Sequence, residues 1–435
     1  MQCHSTDLVI SGHETKYDVR VQLRYNFRLD PTPGQVRDLA RAFGCARFVF
    51  NAALAARKAS YEAGGGWIPG AVLSNKLITE AKKNPETAFL AEVSAVVLQQ
   101  ALRDLDVAYK NFFDSATGRR KGRLVGEPGF RSRRDSRQAI RFTANSRFKV
   151  ADTGRLSLPK VGEVRVRWSR PLPSEPTSVT VVKDASGRYF ASFVVVTDPG
   201  EDAERFPEVE FETGVDLGLM HFAILSDGRK IDAPKFLRKA EKKLKKYQQD
   251  LSRKQRGSRN RAKAKLKVAK AHAHVTAARR DFHHKQSTTL IRENQAVYVE
   301  DLCVAGLGRT RLAKSVHDAG WSQFVNMLEY KAARYGRTFA RTDRWAPTSQ
   351  VCSACGVRDG KKPLSVREWT CQGCGATHDR DVNAARNVLK LGKQMVAAGC
   401  AETLNACGGQ VRPGPVPAQA DEAGTRRSEP AGAVR

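Results

Sequence analysis

Hydrophobic positions follow two different periods along the first half of the chain. Residues 21–29 alternate apolar with polar side chains, which is typical of a half-buried strand. Residues 35–115 carry apolar side chains at helical spacing, whereas residues 138–198 return to strand patterns around a hairpin signal at 184–187. The pattern predicts that the strands close into a small β-barrel, with a helical segment inserted after the first strand.

A second α/β region follows from residue 209 onward. Its predicted elements are, in order, strands at 209–217 and 221–225, a third strand after the turn Asp227-Gly228, a helical hairpin over 237–291 broken near Gly257, a buried strand at 296–299 that ends at Glu300, a helix at 319–335, a strand at 338–342 and a helix at 380–391. Beyond about residue 395 the chain is rich in Ala, Gly and Pro, which is typical of disorder.

Positive charge is concentrated in the helical hairpin. The chain has 75 Lys and Arg against 45 Asp and Glu, a formal excess of +30, and residues 238–285 contribute 18 basic against three acidic side chains. A solvated helix face is the plain alternative, but like charges at this density repel unless an anion neutralises them. A heptad seam from Leu237 to Leu251 would hold the two arms together. The charge therefore favours nucleic acid over a membrane surface as the partner.

A basic connector over residues 118–137 mixes cations with a ring at Phe130. This composition suits RNA, because an aromatic side chain can stack on a base while arginine binds phosphate; a mobile solvated loop is the alternative. The candidate nucleic-acid-binding residues, taken from the connector and from the hairpin turn, are Arg131, Arg133, Arg253, Lys254 and Arg261.

Four of the nine cysteines have the spacing of a zinc ribbon. Cys352 and Cys355 form one Cys-x-x-Cys pair, and Cys371 and Cys374 form a second pair 15 residues later. Two such pairs complete a tetrahedral Zn²⁺ site with no open position, which is typical of a structural ion. Gly356 and Gly373 are expected to allow the tight turns. The alternative of free or disulfide-bonded cysteines conflicts with the reducing cytoplasm expected for a basic chain that lacks a secretory segment.

Three acidic residues stand where a strand ends or a helix begins. Asp216 interrupts the apolar strand Gly214-Val-Asp-Leu-Gly218, Glu300 follows a buried strand, and Asp381 opens a helix. Carboxylates are preferred ligands of Mg²⁺ or Mn²⁺, and two such ions can hydrolyse a phosphodiester. Each acid could instead have a purely structural role: Asp381 or its neighbour Asp379 could cap the helix, and Glu300 could end a strand at the surface.

These motifs occur together, and in this order, in a known protein family. The chain resembles TnpB, the RNA-guided nuclease of insertion sequences and relative of type V CRISPR effectors, from about residue 21 to 391. The matching pieces are Tyr25-Asn-Phe-Arg-Leu29 with Pro33, Gly214-Val-Asp-Leu-Gly-Leu219, Val297-Tyr-Val-Glu-Asp-Leu302, Asp343-Arg-Trp345, the four cysteines, and His378-Asp-Arg-Asp-Val-Asn-Ala-Ala385.

The resemblance implies an α+β multidomain protein with an RNase H-type, RuvC-like nuclease domain. Its implied parts are a loose leader at 1–18, which extends beyond the family's usual start, a wedge-like β-barrel from 19–34 and 119–205, a helical recognition insert at 35–118, the nuclease domain from 206–347 and 377–394, a zinc ribbon at 348–376 and a disordered tail at 395–435. The implied partners are a guide RNA derived from the end of the element and double-stranded target DNA, with no membrane and no small-molecule substrate.

The function that follows is a Mg²⁺-dependent DNA endonuclease with Asp216, Glu300 and Asp381 as metal ligands, in a bacterial cytoplasm at the nucleoid. Two alternatives stay open. The same carboxylates could join DNA strands without RNA, as a transposase does. The chain could also act as an RNA-guided repressor, although family members of that kind have lost the acids that are present here.

Overall fold

The computed structural model describes residues 21–197, 206–363 and 365–399. The chain divides into two compact units. The first comprises Met1–Asp202 together with Lys254–Lys270, and the second comprises Ala203–Arg253 together with Ala271–Arg435. The predicted leader lies outside the described residues, and so does the predicted tail from residue 400 onward.

The first unit combines a seven-stranded sheet with helices inserted after its first strand. In chain order its elements are β1 (Val21–Asp30), α1 (Pro33–Glu62), α2 (Gly70–Ser74), α3 (Ala95–Ala116), β2 (Gln138–Thr143), β3 (Lys149–Val150), β4 (Arg155–Leu158), β5 (Gly162–Arg167), β6 (Pro176–Lys183) and β7 (Tyr189–Thr197). Short π and 3₁₀ turns fill residues 75–92 between α2 and α3.

The central strand β1 pairs antiparallel with β5 on one side and with β7 on the other. Its alternation is confirmed, because Tyr25, Phe27 and Leu29 are all buried in the core. The sheet order is β2-β6-β7-β1-β5-β4-β3, so that β2 and β3 each have one neighbour in the described chain. The predicted barrel is therefore a half-barrel sheet that hydrogen bonds do not close.

Helix α1 begins with a capping box, in which the Thr32 hydroxyl accepts from the Gln35 backbone and the Gln35 side chain accepts from the Thr32 N–H. By length and composition α1 could also cross a membrane, which the sequence analysis did not anticipate. Half of its apolar window is buried inside the protein, as in the core helix of a globular unit. Leu39, Val49 and Leu54 are fully buried there.

The second unit is built on a five-stranded mixed sheet. Its elements are β8 (Glu212–Asp216), β9 (His221–Leu225), β10 (Lys230–Asp232), α4 (Phe236–Ser252), α5 (Arg259–Glu293), β11 (Ala296–Glu300), α6 (Val304–Leu307), α7 (Ala313–Ala319), α8 (Trp321–Tyr335), β12 (Thr338–Thr342), β13 (Glu368–Thr370), β14 (Thr377–Asp379) and α9 (Arg380–Ala397). Helix α5 crosses the boundary between the units, because its first twelve residues belong to the first unit.

The order of the five-stranded sheet is β10-β9-β8-β11-β12. The first three strands form an antiparallel meander, and β11 and β12 continue parallel to β8. This arrangement confirms the predicted RNase H-type unit. Strand β8 is shorter than predicted, because residues 209–211 remain outside the sheet, and α9 continues to Ala397 where the sequence predicts an end near residue 391.

The two faces of this sheet are covered by different helices. Val215, Val297 and Val299 pack with apolar residues of α5, α7 and α8. Ala296, Tyr298 and Ala340 face the opposite way and pack with Val388 and Leu389 of α9. Because successive strand residues point to opposite faces, the residues that follow on the α9 face are Asp216 and Glu300.

Candidate metal centres

Asp216 and Glu300 stand at the carboxyl ends of two neighbouring parallel strands. Strand β11 pairs with β8 in a register that places Val299 opposite Val215, so the next residue on each strand is one of these two acids. Both lie on the face covered by α9. The sequence alone identified the strand ends, and the parallel pairing brings the two carboxylates to one edge.

Helix α9 brings the third acid to this edge by lying directly on the sheet backbone. At Gly214, a Cβ would come within 2.1 Å of the Ala385 carbonyl oxygen and 2.4 Å of the Leu389 nitrogen. At Gly392, a Cβ would come within 2.2 Å of the Tyr298 ring. The absence of a side chain at Gly214 and at Gly392 thus allows the close distance between α9 and the sheet.

Electrostatic interactions show that the three carboxylates lie close together. Burial, together with the charges of Glu300 and Asp381, raises the pKa of Asp216 from 3.8 to about 7, against a lowering by Arg380. Burial and the neighbouring Asp301 also raise the pKa of Glu300. Within the described residues, neither Asp216 nor Glu300 has a side-chain hydrogen bond or ion pair. Two desolvated carboxylates without a cationic partner are costly unless a cation joins them.

Two neighbouring acids, Asp379 and Asp301, fill the structural roles that were the alternatives for Asp381 and Glu300. Asp379, the N-cap of α9, accepts hydrogen bonds from the backbone of Asp381 and Val382 at 3.0 Å each, and it receives the Lys230 ammonium at 2.6 Å. Asp379 is therefore the residue that caps the helix, and Asp381 is not needed for that role. Asp301 is paired with Arg344, so it is neutralised and Glu300 is not.

One residue near these acids was not found from the sequence. Arg367, just before β13 of the cysteine-rich segment, places Nη1 3.5 Å from Asp381 Oδ2 and Nη2 3.0 Å from Met220 Sδ. The Arg367 carbonyl also accepts from the Arg380 N–H at 2.7 Å. A single arginine in a basic chain carries no distinguishing sequence signal, because its position depends on the fold of the cysteine-rich segment.

The four cysteines form a compact cluster that can hold a metal such as zinc. Their sulfurs all lie within 4.8 Å of one another, and Cys352–Cys374 and Cys355–Cys371 are each 3.7 Å apart. Four sulfurs about 2.3 Å from a central Zn²⁺ lie roughly 3.8 Å apart in a tetrahedron. Among the described residues, no other set of His, Cys, Asp or Glu side chains gathers three ligand atoms so tightly; the three carboxylates are more widely spaced.

Each cysteine pair closes a turn of the same kind. The Gly356 N–H donates to the Cys352 carbonyl and the Gly375 N–H to the Cys371 carbonyl, both at 2.9 Å, and both glycines have a positive φ, of 80° and 72°. The prediction was correct for Gly356 and wrong for Gly373, whose φ is not positive. Gly373 instead packs closely against Val357.

Polar side chains tie the cysteine cluster to the carboxylate helix. His378 places Nε2 3.0 Å from Cys352 Sγ. Asn383 and Asn387 of α9 both donate to the Val351 carbonyl, at 2.8 and 2.7 Å, and Asn383 also accepts from the backbone N–H of Ser353. The i, i+4 spacing of these two asparagines was the available sequence signal, because it places both amides on one helix face.

The candidate nucleic-acid-binding residues of the connector differ in their surroundings. Arg131 is used inside the protein: its guanidinium lies 3.7 Å from the centre of the Phe50 ring and 3.2 Å from Asp104. Its backbone is also bonded on both sides by Asn51. Arg133 is exposed. Arg131 therefore has an anchoring role within the first unit, whereas the binding of nucleic acid by Arg133 stays a prediction.

Along α4, the predicted heptad positions lie on the sheltered face of the helix, and the pairing of the two arms stays a prediction. Leu244 is buried, while the lysines at 239, 242, 243, 245 and 246 are exposed. Arg253 is exposed at the end of α4. Arg261 donates to the Lys254 carbonyl at 2.9 Å, so it stabilises the turn.

Three family models match the chain. One described as "Helix-turn-helix domain" matches residues 21–66, one described as "Probable transposase" matches residues 193–311, and one described as "Cas12f1-like, TNB domain" matches residues 321–388. Together they span parts of both units, including the carboxylates and the cysteine cluster.

Two relatives match over most of their length, and a third matches over less than half of its own. A protein of Streptomyces pristinaespiralis named "Putative RNA-guided DNA endonuclease" is 44% identical over 91% of this chain and 93% of its own. One of the same name, InsQ of Escherichia coli (strain K12), is 32% identical over 86% and 93%. A TnpB-like protein, L79 of Acanthamoeba polyphaga mimivirus, is 23% identical over 52% and 46%. A solved Cas12f1–sgRNA–target DNA complex aligns over 82% of both chains with a TM-score of 0.48 and 12% identity.

Proposed function

The chain belongs to the TnpB family, and we propose that it is an RNA-guided, Mg²⁺-dependent DNA endonuclease of an insertion sequence. It cuts double-stranded DNA beside a short adjacent motif. The observation that carries the proposal is the meeting of Asp216, Glu300 and Asp381 at one sheet edge, where Asp216 and Glu300 have no cationic partner. The names of the relatives supply the RNA guide and the DNA target.

Asp216, Glu300 and Asp381 would hold the metal. The wider spacing of these carboxylates, compared with the cysteine sulfurs, suits two ions about 4 Å apart better than one. When bound, such ions activate a water and stabilise the leaving oxygen of a phosphodiester. The residues of the chain supply the frame: β8 and β11 fix two carboxylates from below, and α9 presents the third. Asp379 and Lys230 hold the first turn of α9 so that Asp381 faces the sheet edge.

Zn²⁺ in the cysteine cluster is the structural counterpart of this site. The sulfur spacing fits a tetrahedral ion, and Asn383 and Asn387 join the cluster to α9. The ribbon would therefore support the helix that carries Asp381.

The exposed lysines of α4 and the exposed Arg133 and Arg253 would bind the backbone of the guide RNA or of the RNA–DNA hybrid. The helical insert at 35–118 would recognise the adjacent motif, and the guide would derive from the end of the element. Such a protein works at the nucleoid of a bacterial cell.

The test begins with the RNA that co-purifies with the full chain. Sequencing it identifies the guide, and a plasmid carrying a match is then incubated with wild type, Asp216→Asn and the matched control Asp232→Asn. Asp232 ends another strand of the same sheet, and its side chain is 92% exposed. Loss of cutting in Asp216→Asn alone supports the site, whereas equal cutting by all three proteins rejects it.

Two other outcomes point to different functions. Strand joining by RNA-free protein would indicate a transposase, in line with the description of the family model that matches residues 193–311. Tight, RNA-directed binding without cutting at any concentration of Mg²⁺ or Mn²⁺ would indicate a repressor.

A further inference from the structure

A cavity of about 230 Å³ lies in the second unit, close to the carboxylates in the chain. It opens beside residues 218–220, which begin two residues after Asp216, and its remaining lining comes from β9, from the segment that leads into α4, and from α4, α5 and α7. The cavity is smaller than the roughly 300–1,000 Å³ typical of sites for drug-sized ligands. Its size suits one planar ring system.

Aromatic side chains form the apolar part of the wall. Phe222 is buried and meets the half-buried Phe282 edge to face, with ring centroids 5.1 Å apart. Phe236, also half-buried, lies 6.0 Å from Phe282. The half-buried Phe236 and Phe282 both line the cavity, where they can contact a further aromatic ring, as in the pockets that receive unstacked bases.

Two nitrogen atoms of the wall are buried and lack a hydrogen bond of normal geometry within the described chain. They are Nε of Arg279 and Nδ1 of His283. His283 is fully buried and uses Nε2 for the Ala319 carbonyl at 2.8 Å, and its imidazole also has a hydrogen-bonding interaction with the Gln323 side chain. Arg279 uses Nη2 for Asp318 at 3.4 Å, which leaves its Nε–H as a donor.

The Arg279 Nε–H is thus a buried donor without a partner in the described chain, which is uncommon in native proteins and indicates a ligand or ordered water. The Watson–Crick edge of every nucleobase presents an acceptor that such a donor can bind. Lys235, the residue before α4, lines the cavity and is exposed, so its ammonium could bind a phosphate. Its φ of 50° is a property of the backbone and leaves the side chain free to turn.

The cavity is connected to the carboxylate site through two contacts. Met220 lines the cavity and receives Arg367 Nη2 at 3.0 Å, while Nη1 of the same guanidinium lies 3.5 Å from Asp381. One arginine thus bridges the rim and the proposed metal ligand. A DNA strand held at the carboxylates could place the base of a neighbouring nucleotide in the cavity.

We infer that this cavity is a base-binding subsite, which takes one unstacked nucleobase of the DNA strand presented to Asp216, Glu300 and Asp381. That the base belongs to the DNA strand to be cut rests on the proposed nuclease function. The binding of a base in the cavity does not rest on it, and this binding can be measured without cleavage.

The experiment uses photocrosslinking of the full chain with its co-purified RNA, in Ca²⁺ instead of Mg²⁺. The probe is single-stranded oligodeoxythymidine with scattered 5-iododeoxyuridine, and mass spectrometry locates the crosslinked residue. We expect crosslinks at Phe236, Phe282 or Met220. Ala233→Leu, which fills the cavity and removes no hydrogen bond, should lower the yield at these residues about tenfold, since losing one stacked base has an effect of this size.

The control is Ala277→Leu, the same change at an exposed position of α5 outside the cavity lining, and it should crosslink like wild type. Circular dichroism checks folding; if Ala233→Leu is unfolded, the exposed rim variant Met220→Trp closes the mouth instead. Crosslinks elsewhere, equal yields in the filled and control variants, or crosslinks only with an iodouridine RNA probe would overturn the subsite. Crosslinking in a protein that never cuts DNA would retain the subsite and reject the nuclease.

Discussion

Gly214 and Leu389 lie so close that a Cβ on the glycine would be 2.4 Å from the Leu389 nitrogen. The contact joins β8 to α9, two residues before one proposed metal ligand and eight residues after another. The atoms that would meet the Cβ belong to the helix backbone, which cannot turn aside as a side chain can.

Gly214→Ala should therefore lift α9 from the sheet. We expect a loss of about 3 kcal/mol or more in the free energy of unfolding, together with loss of cleavage. Urea unfolding followed by circular dichroism measures the first quantity. The control is Gly44→Ala in α1, where the nearest atom is 3.9 Å from the new Cβ and alanine should stabilise the helix slightly. Equal stabilities of the two variants would contradict the close approach.

The pKa of Asp216 gives a pH dependence in the metal-free protein. Because the folded pKa is about 7 and the ordinary value is 3.8, the protonated carboxyl favours the folded state. This stability is fully present below about pH 4 and is lost as the pH rises towards 7. Asp216→Asn keeps the neutral form at every pH, so its advantage over wild type should grow from about pH 5 to about pH 8, by on the order of a few kcal/mol.

Urea unfolding at the two pH values measures this difference, and Asp232→Asn serves as the control because its side chain is exposed. Carboxylates with a lowered pKa, such as Asp379, give the opposite slope in both proteins and cancel in the comparison. A constant difference between wild type and Asp216→Asn would place Asp216 in water.

Substitutions of the two aspartates at the start of α9 should affect different properties, stability for Asp379 and cleavage for Asp381. Asp379→Ala removes the N-cap and the Lys230 pair, and it should lower the free energy of unfolding by about 1–2 kcal/mol, whereas Asp379→Asn keeps the cap and should cost less. Asp381→Asn should leave stability nearly unchanged and abolish cleavage. Thermal unfolding and plasmid cleavage measure both effects; a cutting-deficient but stable Asp379→Asn would reverse the assignment.

Loss of a cysteine ligand should release the zinc. Cys371→Ser should reduce bound zinc, measured by elemental mass spectrometry, and should destabilise α9 because Asn383 and Asn387 would lose their partners. Cys303→Ser, at an exposed free cysteine outside the cluster, is the control and should retain the metal. Wild-type zinc content in Cys371→Ser would show that the four sulfurs do not act together.

The carboxylates illustrate what the sequence could predict and what it could not. A short continuous apolar run placed Glu300 at a strand end, and β9, β11 and β12 lie almost where the pattern predicts them. The closeness of Asp216 to Glu300 depends on parallel pairing of strands 84 residues apart in the sequence, which no local pattern encodes. The resemblance to TnpB supplied that information in advance.

Contacts made by single polar residues were the least predictable. Arg367 carries no local signal, and Arg131, expected at the nucleic acid, is held by Phe50 and Asp104 within the first unit. Barrel closure also failed as a local prediction, because it depends on whether the edge strands β2 and β3 meet in space.

The position of α9 in the sequence has a consequence for the time during synthesis at which the site is completed. The other two acids are synthesised well before α9, which is the last described helix and the only one to cover that face of the sheet in the described chain. A nascent or truncated chain that ends before residue 380 can form the five strands and still lacks the third carboxylate. Catalytic competence would therefore arise late, when synthesis of the folded region is nearly complete.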